Sequence, residues 1–486
     1  MVNYNIDNKC FKGSEDLNII LGIFIIVILG FILWYCDIIR YFKKPQFSGK
    51  EKAKHVIIIS LDGVYEDDFE KLRNKKAFKE LIEKGAYSNE VTTIYPTLTY
   101  PVHTSIITGV YPNKHGVIHN NDLQPGIAEN KQTWFWYTDE VKKESLFDIA
   151  ALYNMRTCSL FWPVTGKGNI TYNIPEILAL EGENQSIKIL KAGTPNYLLR
   201  QEFKYSKIRD GIKQPALDKF TTKVAVDTII NKKPNLLAMH LVSVDYLRHS
   251  FGVWSKEADD ALEVYNKSVL EIIDGTKKAG TYNDTVFVIT TDHGLIDINT
   301  NVYINSILER NGFITRKDGE VYYTAYSQST GLGAFIYIKD NNELVEKKVR
   351  KLFINLSKDE KYGIDKVFTK EELIKLNADN SYAFAIEAKT GFAFKDELTN
   401  YEIKQQKDLG CNYATHGYSP LKEGYKNVFI ISGEPIKNNY NLGEMNIVDI
   451  APTVANILGI DFDNCDGKVI GKIFKKVSGY LNNAHN

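Results

Sequence analysis

The chain is poor in paired cysteine. Its five cysteines lie at 10, 36, 158, 411 and 465, and no two form a CxxC pair. That spacing excludes a zinc knuckle and a thioredoxin-like motif, and it does not resemble a disulfide scaffold. No sign of charge dominates either: Lys+Arg and Asp+Glu stand at 60 each, for a net charge of zero. A global basic field that would gather a nucleic-acid polymer is therefore missing, as is an acidic, solvating tail. Any phosphate-bearing ligand must be held by local positive charge. Internal repeats and low-complexity tracts are also lacking. What is present is ordinary globular material, 44% apolar and 25% charged over 486 residues. That length suffices for one large domain or two ordinary ones with a sizeable core.

One run stands apart. Ile19 to Cys36 contains no charged residue. At about 1.5 Å per residue it just spans a hydrocarbon core of roughly 30 Å. Trp34 and Tyr35 end it, where interfacial aromatics belong. A cleaved signal peptide fits less well, because small residues should follow its apolar region. The segment reads as a single-pass transmembrane anchor after a short tail (1–18) and before a Lys-rich linker (37–53). Lys9 and Lys12 precede it, whereas Arg40, Lys43, Lys44, Lys50, Lys52 and Lys54 follow. Taken alone, that asymmetry would keep the large domain in the cytoplasm.

Beyond the linker, short β-branched runs alternate with helical stretches. HVIIISLDG (55–63), NLLAMHLVSVD (235–245) and DTVFVITTDHG (284–294) read as buried strands. Residues 67–85 and 257–280 read as helices between them. This alternation predicts an α/β fold with a mostly parallel sheet flanked by helices. Residues 325–400 break the pattern with a β-α-β-α-β order, read as an inserted α+β subdomain. NIVDIAPTVANILGI (446–460) reads as a closing helix, within a catalytic domain spanning 54–475 and followed by a tail at 476–486.

Three predicted strands end in aspartate: Asp62, Asp245 and Asp292. In open α/β sheets ligands bind at the carboxyl ends of strands, so these carboxylates should converge. Each by itself reads more readily as a turn or cap residue. Histidines accompany them: His249 four residues after Asp245, His293 beside Asp292, and His416 on a Gly-flanked loop. Three Asp and three His form an oxygen and nitrogen ligand set that suits zinc and, less selectively, manganese or iron. Six ligands suffice for two ions about 4 Å apart, the arrangement that clamps attacking and leaving oxygens in phosphoryl transfer. The segment 94–121 offers a nucleophile in Thr99, placed just before Pro101 at a helix start. There, free N–H groups and the positive dipole end favour an alkoxide and an incoming phosphate. The plainer reading of Thr99 alone is a helix cap.

Taken in order, SLDG, YPTLTYPVH, TGVYPNKHG, FWP, DxxxH, TDHG and a late THG resemble the nucleotide pyrophosphatase/phosphodiesterase family of the alkaline phosphatase superfamily. The resemblance covers roughly residues 54–475. It implies that Asp62, Thr99, Asp292 and His293 hold one zinc, and that Asp245, His249 and His416 hold the other. It implies Thr99, rather than Thr97, as nucleophile of a two-step hydrolysis through a phospho-threonine. Asn120 would hold a non-bridging phosphate oxygen beside the Thr99 N–H. It further implies an extracytoplasmic catalytic domain, against the charge asymmetry, and a phosphodiester or nucleotide-like substrate.

Two departures are visible. The family stacks a base between two aromatics; Tyr100 fits one, but Leu178 falls where the second belongs. Val102 replaces the asparagine of the family's PNH. Within the superfamily, a sulfatase is disfavoured because no cysteine sits in a CxPxR motif. Phosphonate or monoester hydrolysis stays open. A non-catalytic membrane-anchored binding protein is the alternative of another class; metal content separates it from the enzyme.

Overall fold

The computed structural model describes residues 44–408 and 413–476 and, upstream, Leu21, Phe24 and Ile28, all three helical. Most of the 19–36 segment, read as an anchor, lies outside the described residues. Among the described residues, no helix is long and apolar enough to cross a membrane. Residues before 46 and residues from 46 onward form two separate units, and everything below concerns the second.

The three runs read as strands form the centre of a nine-stranded sheet. His55–Leu61 pairs in parallel with Leu236–Leu241 on one side and with Thr285–Thr291 on the other. All residues of the last two strands are buried, which explains their largely apolar character. The sheet is covered on both faces. Val56 and Ile58 point into one core with the 450–458 helix, whereas Ile57, Ile59 and Leu61 point into the other. This is the period of two expected of a strand. The sheet is mixed: Asn427–Ser432 runs antiparallel between Thr285–Thr291 and Gly85–Thr92.

The helix read over 257–280 is observed as Lys256–Ala279, capped by the Ser255 hydroxyl and ended by Gly280 in the left-handed region. The single helix read over 67–85 is instead two short ones, Phe69–Arg73 and Lys76–Glu83. The break follows from local chemistry. Asn74 Nδ2 donates to the Glu70 carbonyl, Lys75 is extended, and the Ala77 N–H is drawn to Asn266 Oδ1 at 3.0 Å. The closing helix is Ile450–Leu458, with Pro452 in its first turn.

The accessory α+β layer begins upstream of residue 325. Ile296–Tyr303 follows the TDHG turn and pairs with Gly391–Lys395, Ile403–Gln405 and Ala414–Thr415. A second sheet joins Ala325–Ser329, Gly333–Ile338, Phe384–Ala388 and Ile364–Val367, with helices Glu343–Leu356 and Lys370–Lys375 beside it. The first of these sheets leads the chain through Ala414–Thr415 directly into His416.

Candidate metal centre

Asp62 and Asp292 each follow the last residue of a central parallel strand. Asp245 does not sit at a strand end as read. Its strand stops at Leu241, and Asp245 lies in the first turn of helix Ser243–Phe251. His249 is one turn further on that helix, its Nε2 3.3 Å from Asp245 Oδ1. Helical spacing thus places this pair on one face. Gly63 permits the approach between the two aspartates. Its φ is +74°, and a Cβ there would lie 2.7 Å from Asp245 Cα. Gly63→Ala is therefore expected to cost metal affinity and stability together, read by zinc titration and denaturant unfolding.

Thr99 begins helix Thr99–Thr108, and the capping position belongs to Leu98. Its hydroxyl does not cap; Oγ1 lies 3.2 Å from His293 Nε2. That nitrogen is 3.2 Å from Asp292 Oδ2 and 3.6 Å from Asp62 Oδ1. The donor atoms of Asp62, Asp292 and His293 all lie within 4.8 Å of one another, as do those of Asp245, His293 and His416. The His293 and His416 rings stack at 3.7 Å, and His249 lies 5.2 Å from His416. All seven residues read as metal ligands thus meet in one pocket.

The donor atoms gathered here could hold cations. Asp62 Oδ1, Asp245 Oδ1, Asp292 Oδ2 and His293 Nδ1 are buried without a hydrogen-bond partner among the described residues. Bare buried carboxylate oxygens are costly unless a positive charge meets them. Burial and the neighbouring Asp245 push the Asp62 carboxyl well above the usual range, and burial and Asp62 do the same to Asp292. Burial holds His416 down at about 4 and His293 well below its ordinary value. Imidazole nitrogens beside carboxyl oxygens are the donor types that suit a divalent ion. Two of the rings read as ligands are oriented from behind: His249 Nδ1 meets the Ala414 carbonyl at 2.7 Å and His416 Nδ1 the Thr97 carbonyl at 3.1 Å.

Asn120 stands at the helix start. Its Oδ1 accepts the Tyr100 N–H at 3.0 Å, which leaves its amide NH2 for a ligand. The two positions read as a base clamp do not form one. Tyr100 is 1% exposed, packed among Val117, Trp136 and Ile177, with its hydroxyl donating to Glu176 Oε1 at 3.4 Å. Leu178 is exposed. Neither lines the cavity of about 610 Å3 that opens beside Asn120, Trp134, His249 and His416.

The sequence reading missed His103, His240 and Glu176. His103 lies one turn after Thr99 and meets its carbonyl at 2.8 Å. His240 meets Asp62 and Glu176. A signal existed for it: it is the one polar residue in the apolar strand LLAMHL.

The family model for Type I phosphodiesterase / nucleotide pyrophosphatase matches residues 56–419. An uncharacterised pyrophosphatase/phosphodiesterase of Schizosaccharomyces pombe is 22% identical over 400 residues, 79% of this chain and 72% of that protein. Ectonucleotide pyrophosphatase/phosphodiesterase family member 1 of Rattus norvegicus is 24% identical over 273 residues, 54% of this chain but 26% of that protein. The chain thus spans only about a quarter of the latter. Among solved structures, murine ectonucleotide pyrophosphatase/phosphodiesterase 5 superposes with a TM-score of 0.62 at 15% identity, covering 87% of this chain and 100% of that one. An inactive threonine-to-alanine variant of the same murine protein, in complex with AMP, gives a TM-score of 0.61. The chain belongs to the Type I phosphodiesterase / nucleotide pyrophosphatase family.

Proposed function

We propose that this protein hydrolyses phosphodiester or pyrophosphate bonds through a phospho-threonine at Thr99, with two zinc ions as cofactors. The observation that carries the reading is the Thr99 hydroxyl, 3.2 Å from His293 in a pocket of bare carboxylate oxygens. Asp62, Thr99, Asp292 and His293 would hold one ion, and Asp245, His249 and His416 the other. When bound, such ions supply Lewis acidity and neutralise charge on the transferring phosphoryl group. Thr99 Oγ1 attacks phosphorus in line, and the bond to the leaving oxygen breaks with its electron pair on that oxygen. The Asn120 amide and the free N–H groups of the helix start steady the non-bridging oxygens. The Thr99 proton lost in this step passes to the leaving oxygen; water then attacks the same phosphorus, the P–Oγ1 bond breaks with its electron pair on Oγ1, a water proton restores the Thr99 hydroxyl, and the phosphate monoester is released.

The substrate is nucleotide-like in this reading, in keeping with the AMP complex of the murine relative. The burial of Tyr100 and the exposure of Leu178 favour recognition that does not rest on a base clamped between two aromatics. The uncharged run at 19–36 supports a membrane anchor, and the family resemblance, against the flanking charges, supports an external catalytic domain; protease accessibility on intact cells checks this.

A bis-aryl phosphodiester, an aryl phosphate and a nucleoside triphosphate, compared with zinc present, test the activity. The diester is expected to be turned over faster than the monoester. A monoester preference by orders of magnitude would replace the diesterase reading with a monoesterase one. Chelation is expected to abolish turnover and lower the melting temperature, because bound ligand stabilises by mass action. Zinc should restore both. A protein that stays active after its metal is stripped would sink the two-metal reading.

A further inference from the structure

Behind Asp62 lies a group of side chains that the proposed reaction does not use. His240 is 1% exposed at its side chain, and both ring nitrogens face carboxylates: Nε2 lies 3.1 Å from Asp62 Oδ2, and Nδ1 lies 3.1 Å from Glu176 Oε2. Glu176 is tied in turn to the Tyr100 hydroxyl at 3.4 Å. The register of the sheet makes the contact. Ser60 pairs with His240 across the parallel ladder. Asp62, two residues on, projects to the same side as Ser60.

Asp62 is therefore divided. Oδ2 is engaged by His240, while Oδ1 is buried without a hydrogen bond and lies 3.6 Å from His293 Nε2. The His103, His240 and Asp292 donor atoms also lie within 4.8 Å of one another, which raises a third metal site as the alternative. The bonding pattern argues against it. Both His240 nitrogens are taken, and His103 spends Nδ1 on the Thr99 carbonyl and Nε2 on Ser60 Oγ, each at 2.8 Å. Neither ring keeps a lone pair for an ion.

We infer that Glu176 and His240 form a strut that presents Asp62 to its metal through one oxygen, Oδ1, and thereby sets the affinity of the ion shared with Thr99. The inference rests on the two-metal reading above. His240 and Glu176 are positioning residues. They touch neither substrate nor the reacting atoms, and they act by fixing which Asp62 oxygen faces the ion.

The test is zinc binding to the full chain, measured by competition with a chelating dye and by metal content after dialysis. His240→Leu removes the donor to Asp62 and should weaken one of the two zinc sites about 10–100-fold, leaving the other near wild type. His240→Gln keeps an amide N–H and should recover most of that affinity, which a merely space-filling role would not predict. Glu176→Gln should shift the same site in the same direction by less. A folded His240→Leu protein with wild-type affinity at both sites overturns the strut, as does equal loss at both. Should His240→Leu fail to fold, Glu176→Gln with unchanged zinc affinity overturns it instead. A wild-type protein that takes up no divalent ion removes the two-metal reading itself. Two bound zincs with indifferent His240 and Glu176 variants remove the strut alone.

Discussion

Thr99→Ala is expected to lower turnover of a phosphodiester by roughly 10^4-fold or more, the scale seen when a nucleophile is deleted. It should do so with little effect on stability, within about 0.5 kcal/mol. The two expectations come from one geometry. The helix that begins at Thr99 is capped at Leu98 and takes nothing from the Thr99 side chain. Oγ1 faces His293 Nε2 at 3.2 Å in the ligand pocket. Removing the hydroxyl therefore removes the proposed reacting atom and leaves the fold intact. Thr97 gives the opposite pattern. It is fully buried, its hydroxyl donates to the Tyr418 carbonyl at 3.0 Å and accepts the Gly417 N–H at 3.1 Å. Thr97→Ala should thus cost about 1–3 kcal/mol by leaving buried partners unpaired, with activity retained in the folded fraction. Steady-state kinetics beside urea unfolding separate the two. A dead Thr97→Ala with an active Thr99→Ala would reverse the assignment of the nucleophile.

Breaking the pair between Arg248 and Asp68 should destabilise the protein by about 3–5 kcal/mol, the scale for stranding one partner of a buried ion pair. Both side chains are completely buried, and the pair is bidentate: Nη1 to Oδ2 at 2.9 Å and Nη2 to Oδ1 at 2.7 Å. Nη1 also donates to the Gly63 carbonyl at 2.6 Å, and the guanidinium lies 5.3 Å from the Tyr65 ring. Arg248 stands between Asp245 and His249 on their helix, and Gly63 follows Asp62. One guanidinium therefore joins a segment from each proposed ligand set. Asp68→Ala should lower the urea midpoint and also weaken zinc binding. Arg248→Met with Asp68→Leu should regain much of the stability, since apolar replacement of a buried pair is often neutral, yet not the metal affinity, because the Gly63 contact is gone. Equal recovery of both would show that Arg248 serves packing alone.

Local pattern carries far in this chain. The runs at 55–61 and 285–291 carry unbroken apolar stretches, Val56–Ile59 and Val286–Ile289, because both faces of those strands are covered, and such stretches can be read without knowing their neighbours. The helix over 256–279 announces itself with Ser255 and Gly280 at its ends. The ligand types were legible for a similar reason: Asp and His beside strand ends or glycine turns are chemically conspicuous. Where a side chain's role depends on a distant partner, pattern failed. Asp245 read as a strand end because VSVD continues the apolar run, whereas the chain turns into a helix after Leu241. The break after Arg73 is drawn by Asn266, nearly two hundred residues away in the chain. Tyr100 read as a surface for a base, but Trp134, Trp136 and Ile177 close over it.

By itself, then, the sequence determined the alternation of strand and helix, the kinds of donor atom available and the hydroxyl placed before Pro101. These are properties of a dozen or so neighbouring residues, set by backbone sterics and the period of apolar side chains. Tertiary structure decided that residues 62, 99, 245, 249, 292, 293 and 416 share one pocket, that Thr99 faces that pocket rather than capping its helix, and that His240 occupies one oxygen of Asp62. The register of parallel strands is fixed by packing on both faces of the sheet at once. No local stretch of chain contains that information.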